Sequence, residues 1–306
     1  MAPCSTPINR LSLQAMPLLA LLLFQSVLAQ RTGEIQNPRL AESSGVAASR
    51  AHPGVLWTHN DSGDRPYLYA TDLRGTDRGA VLVPGARAFD WEDLALGPCP
   101  TRTGTCVFIG DVGDNLEVRP FVTVYAVPEP DPPVSRADTL RTTRAPAVLR
   151  LRYPDGAHDV EALYVSPKDG GLFLVSKGRS GPIRLYRVDR GQWRGDSIVT
   201  AARVEDLPIR PRPREGRWIT GAAMRPDGRL VALRTETEIY FFTPGPNGRL
   251  SPADRPVCRI RNSDYQGEAV DFLDDSTLVL TSEAAGRRRP GTIHVLRCPA
   301  GPGSTN

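Results

Sequence analysis

An apolar pattern that recurs five times constrains the fold of this chain more than any other feature. A small or acidic residue leads a short Ala-containing run at Gly45-Val-Ala, Asp93-Leu-Ala, Glu161-Ala-Leu, Gly221-Ala-Ala and Glu268-Ala-Val, at intervals of 47 to 68 residues. A second apolar run follows each, beginning at Val55, Val107, Leu172, Leu230 and Leu278. A third joins an aliphatic residue to a ring at Leu68-Tyr69, Val124-Tyr125, Leu185-Tyr186, Ile239-Tyr240 and Ile293-His294. His294 fills a slot that holds Tyr elsewhere, so it reads as a packing residue. Such short, β-branched and aromatic runs are strands. The 28 Gly and 29 Pro spread along 306 residues supply the turns between them.

Fourth strands are legible at 80–83, 147–151, 198–204 and 256–260, but the fifth unit has none. Because the segment 33–40 is unassigned, an N-terminal strand is expected to complete the last sheet and close a ring. Repeats of this size predict an all-β, five-bladed β-propeller, with six blades as the alternative if a degenerate blade lies within 125–157.

Residues 1–29 carry one charge, Arg10, ahead of an apolar run ending Val27-Leu28-Ala29, the pattern of a signal peptide cleaved after Ala29. The strongly apolar part is short for a membrane span, which needs about 20 residues. The expected organisation is therefore a signal peptide over 1–29 and one propeller domain over 30–306, secreted or periplasmic. Cys4 leaves with the signal, and Cys99, Cys106, Cys258 and Cys298 remain, an even number in an exported chain. Cys99 and Cys106 flank one short loop and are expected to pair, which leaves Cys258 with Cys298. Their spacing lacks the paired-cysteine pattern of a zinc site. A formal charge of +4, with Lys168 and Lys177 the only lysines, is too small to imply a general affinity for nucleic acid.

In a meander blade, the start of the innermost strand and the end of the second emerge on one face, around the channel. That sorting places Glu42, Glu92, Asp93, Asp159, Glu161 and Glu268 with His59, Asn60, Asp61, Asp111, Lys177, Arg234 and Glu283 at one mouth. Converging carboxylates take up protons or bind a cation, and calcium accepts many hard oxygen ligands without strict geometry. Asn60, Asp61, Asp93, Asp111, Glu161 and Glu268 are the expected metal ligands. Asp-x-Gly-Asp recurs at 61–64 and 111–114, differing from an EF-hand loop and equally suited to tight turns. The Arg-rich segment 207–217 and Arg287-Arg288-Arg289 fall on the same face and suggest an anionic small molecule, glycan or protein partner. His59 and His158 are the imidazoles that could serve there as a base, and Lys177 is a further candidate if buried. No GxSxG elbow, HExxH helix or glycine-rich phosphate loop is present.

The stretches HNDSGD (59–64), DWEDLAL (90–96) and IGDVGDN (109–115) resemble those of secreted bacterial β-propeller proteins. More distantly, the acid-led inner strands are similar to those of gluconolactonase-like and phytase-like propellers. That resemblance implies a divalent ion held by a Glu at an inner-strand start, with Asn and Asp from other blades. Glu161 or Glu268 with Asn60 and Asp111 would be the equivalents, although those relatives have six blades. Two functions compete. One is an exported binding propeller with calcium at its mouth; the other is a metal-dependent hydrolase of phosphoesters or lactones, in which the ion polarises substrate and prepares water.

Overall fold

A computed structural model describes Met1 and residues 29–133, 141–260, 265–286 and 288–299. The apolar run expected to be a signal, up to residue 28, and Arg287 lie outside the described residues. None of the described helices is long and apolar enough to cross a membrane.

The chain folds as a five-bladed β-propeller. Strand β1 (Gln30–Glu34) precedes the first blade, which comprises β2 (Ser43–Ala48), β3 (Leu56–Asn60), β4 (Tyr67–Thr71) and β5 (Ala80–Leu82). The second comprises β6 (Trp91–Pro98), β7 (Thr105–Asp111), β8 (Val122–Pro128) and β9 (Ala147–Arg152). The third has β10 (Val160–Val165), β11 (Leu172–Ser176) and β12 (Arg184–Val188); β13 (Ile198–Thr200) and β14 (Ala202–Asp206) follow it in the chain. In the fourth blade are β15 (Ile219–Met224), β16 (Val231–Thr235), β17 (Glu238–Pro244), β18 (Leu250–Pro252) and β19 (Cys258–Arg259). The fifth has β20 (Gly267–Phe272), β21 (Thr277–Ser282) and β22 (Thr292–Arg297), and β1 pairs antiparallel with β22 to complete it. The last sheet is thus closed by the chain's start, as expected, though with Gln30–Glu34 rather than 33–40.

Five buried apolar clusters occupy the five interfaces between neighbouring blades, the last joining Val46 and Leu56 of the first blade to Val279 and Ile293 of the fifth. Burial is therefore continuous around the ring, and no blade could bury its faces alone. The inner strands β2, β6, β10, β15 and β20 contact one another in sequence and back to the first. Their small residues follow from that closeness. A Cβ on Gly45 would stand 2.6 Å from both the His59 ring and the Leu94 backbone nitrogen.

Two fourth strands differ from expectation. The run 198–204 divides at buried Ala201, whose N–H donates to the Arg152 carbonyl. Its first half, β13, pairs in parallel with the open edge of β9 in the second blade, while β14 pairs with β12 in the third. An unpaired edge strand takes up such a partner readily. In the fourth blade, β18 and β19 pair with opposite ends of β17. Pro252 ends the first pairing, opposite Phe242, and Pro256 lies between the two; neither has the N–H a continuous ladder needs. The stretch 125–157 yields no sixth blade, since its described strands are β8 and β9.

Both expected disulfides form: Cys99–Cys106 across the β6–β7 hairpin, with Cα atoms 4.9 Å apart, and Cys258–Cys298 between the fourth and fifth blades, at 5.7 Å. The second closes a 40-residue separation, for which loop entropy alone stabilises by about 4 kcal/mol.

Candidate metal centre at the channel mouth

Every inner strand breaks register with its neighbour near its first residues. The skipped residue is Glu92 in β6, Glu161 in β10 and Thr220 in β15, with Ser44 and Glu268 inside the corresponding shifts of β2 and β20. A bulged residue has no ladder partner, and its side chain is turned out of the regular alternation. Three carboxylates are aimed in this way at one mouth. In the remaining two slots, Ser44 donates to the Glu92 carbonyl at 2.6 Å, and Thr220 to the carbonyls of Gly267 and Glu268 at 3.0 and 2.9 Å.

Around Glu92 the carboxylates form two triads. Oxygen atoms of Asp61, Asp90 and Glu92 lie within 4.8 Å of one another, and so do those of Glu92, Asp159 and Glu161. Gly113 makes this approach possible, because a Cβ there would fall on the carboxylates of Glu92 and Asp90. Such convergence alters protonation. Burial, followed by the charges of Asp90, Glu161, Glu42 and Glu268, pushes Asp61 up to about 8. Burial, then Glu161 and Glu283, raises Glu268 to about 8, and burial with Asp61 and Glu42 raises Glu283 to about 7. Glu92, Asp90 and Glu161 are raised as well, chiefly by burial. Asp61 lies against Asp90, and Glu92 against Glu161. Carboxyl groups raised in this way retain protons near neutral pH that neighbouring oxygens can share, which relieves their mutual repulsion. Among the described residues, Oδ1 of Asp61 is buried with no hydrogen-bond partner.

Cations cover one side. Lys177 Nζ sits 2.6 Å from Glu161, and Arg179 Nε sits 2.8 Å from Asp159. Both cations lie against the Trp218 ring. Burial disfavours the charge on Lys177, but Glu161, Asp159 and Glu92 outweigh it and raise its pKa. The triad of Asp61, Asp90 and Glu92 is thus the more open to an added ion.

Of the six expected ligands, Asp61 and Glu161 fall in the triads, and Glu268 adjoins them electrostatically. The other three are engaged elsewhere. Asn60 accepts from the Glu42 N–H and donates to Asp64 and to the Arg39 carbonyl. Asp111 pairs with Arg119 at 2.9 Å. Asp93 is fully buried in the channel and accepts the N–H groups of Leu94, Leu163 and Ala222, tying three blades together. Aligning Asp93 with Glu161 and Glu268 was one residue out of register: the bulge slot is Glu92. Asp90 and Asp159, each just before an inner strand, complete the triads. Asp90 was absent from the expected mouth residues, and its adjacency to Trp91-Glu92 was the available signal.

The two candidate bases are poorly placed for proton transfer. His59 is fully buried, bonds the Asn60 carbonyl through Nδ1, and is driven down to about 4 by burial. His158 is buried between the rings of Tyr153 and Tyr186, with Asp155 at 3.2 Å. Of the Arg-rich segments, Arg212 and Arg217 pair with Glu215, and Arg217 also pairs with Glu238. Arg288 and Arg289 are exposed and line a hollow of about 650 Å³ with Glu283.

No protein-family model and no curated protein matches the chain. Among solved structures, it is similar to hydrazine synthase from Kuenenia stuttgartiensis at 12% identity and TM-score 0.39, covering 81% of this chain and 57% of that one. The chain therefore spans little more than half of that protein's length. It is similar to regucalcin, a calcium-binding protein from Agrobacterium tumefaciens, at 14% identity and TM-score 0.44, covering 91% and 99% of the two chains. An auxiliary nutrient binding protein from Bacteroides thetaiotaomicron aligns at 9% identity and TM-score 0.45, over 84% and 69%.

Proposed function

We propose that this chain is an exported binding propeller whose acidic mouth holds a divalent cation, calcium by its chemistry, and through it recognises an anionic ligand. The observation that carries the reading is the pair of carboxylate triads sharing Glu92. Hard oxygen donors in excess, without His or Cys among them, suit calcium better than zinc or copper. Asp61, Asp90 and Glu92 would hold the ion, which displaces the protons they share. Arg288 and Arg289, across Glu283 from the triads, offer forked donors to an anion that also meets the cation. Export is supported by the two disulfides and by the apolar N-terminal run. Cleavage after Ala29 would leave the ring-closing strand β1 as the first element of the mature chain.

Binding is favoured over hydrolysis because both imidazoles are packed among aromatic rings rather than presented to a substrate. The test is calorimetric titration of chelator-treated protein with calcium and magnesium, then with inorganic phosphate. Calcium binding with release of protons is expected, and phosphate affinity should rise when calcium is bound. Absence of heat and of any melting shift with either cation would remove the reading. Calcium-dependent turnover of phosphoester or lactone substrates would transfer it to the hydrolase class.

A further inference from the structure

The opposite mouth of the channel is a second cavity, of about 250 Å³, formed where the inner strands end. Leu96, Val165, Ala223 and Met224 supply the apolar part of its walls, and Leu94 lies next to the Asp93 plug that separates the two mouths. Two charged groups stand out at its edge. Asp271 is already satisfied, accepting the N–H groups of Ala48 at 2.7 Å and Phe272 at 2.8 Å. Arg50 forms an ion pair with Asp271 at 3.7 Å, too long for a hydrogen bond, and among the described residues its guanidinium donates no side-chain hydrogen bond, so its N–H donors remain open to a further acceptor. The other arginine lining the cavity, Arg225, is held by a two-pronged pair with Asp227 and a bond to the Asp275 carbonyl.

We propose that this cavity binds a small carboxylic acid, with its apolar tail among the strand ends and its carboxylate on Arg50. A planar guanidinium with unspent donors matches a carboxylate in geometry and charge. The volume lies below the 300 to 1,000 Å³ typical of drug-sized ligands, which limits the tail to about six carbons. This site shares no residue with the acidic mouth and stands independently of the cation.

The experiment is titration of the intact protein with hexanoate, hexan-1-ol and hexylammonium, followed by calorimetry and ligand-observed NMR. Hexanoate should bind at least about tenfold more tightly than either analogue, the factor a charge-assisted pair supplies. Arg50→Gln should weaken hexanoate by about tenfold and leave hexan-1-ol unchanged. Ala95→Leu, which fills the cavity, should remove binding of all three while calcium binding at the far mouth persists. If hexanoate and hexan-1-ol bind equally, or if Arg50→Gln leaves hexanoate affinity intact in a protein that melts normally, the assignment is overturned. Failure of hexanoate to bind the unaltered protein at 10-millimolar levels overturns it as well.

Discussion

The two mouths of the channel are made from opposite ends of the same five inner strands, yet one gathers carboxylates and the other is largely apolar with an arginine at its edge. At the acidic end each strand breaks register, and the bulge turns Glu92 and Glu161 out of the ladder. At the other end the ladder is regular, side chains alternate, and the residues facing the axis belong to the packed layers between blades. A single irregularity per strand, repeated by the symmetry of the ring, therefore decides which end gathers the carboxylates. Between the ends, Asp93 plugs the channel and bonds inner strands from three blades.

Breaking the plug should have the largest effect. Asp93→Ala leaves three buried N–H groups without acceptors, each costing about 1 to 3 kcal/mol, so denaturant unfolding should show a loss near 5 kcal/mol. A loss below about 1 kcal/mol would mean that the mouths are not separated by a structural pin. Next is Glu92→Gln, which removes the carboxylate common to both triads. Calcium affinity should fall by about a hundredfold in calorimetry, while hexanoate binding at the apolar mouth is unchanged; equal calcium binding by the variant would point to another site.

The pH dependence separates the mouths without mutation. Asp61 and Glu268 have pKa values near 8 in the folded protein, above those of an unfolded carboxyl group. The folded state therefore binds more protons, and this contribution to stability is full below about pH 4 and lost as the pH rises through 8. In chelator, the melting temperature should drop on the order of 5 °C between pH 5 and pH 9. Calcium should restore most of that drop, and a flat profile in chelator would contradict the shared-proton picture. The smallest effect belongs to Lys177→Met. Removing a cation 2.6 Å from Glu161 should raise calcium affinity by about tenfold, and a decrease would show that Lys177 supports the site rather than competing for it.

The ring was legible from its repeat because apolar runs report burial, and burial in a propeller recurs with each blade. The closing strand could be anticipated from a sheet left one strand short, and the disulfides from loop spacing. What could not be read was the bulge. A one-residue shift leaves composition unchanged, yet it exchanges Glu92 for Asp93 in the ligand slot and sends Asp93 into the core. Asn60 and Asp111 were plausible donors by residue type, but their local partners, Asp64 and Arg119, emerge only from loop geometry. The split of 198–204 between two blades likewise depends on an open edge in a neighbouring sheet, which no local pattern reveals.

Anomalous diffraction from crystals grown with calcium tests the central claim most directly. A single ion bound by oxygens of Asp61, Asp90 and Glu92, at the 2.3 to 2.6 Å expected for calcium, is the predicted result. An ion bound elsewhere, or an empty mouth at saturating calcium and pH 8.5, would contradict the account.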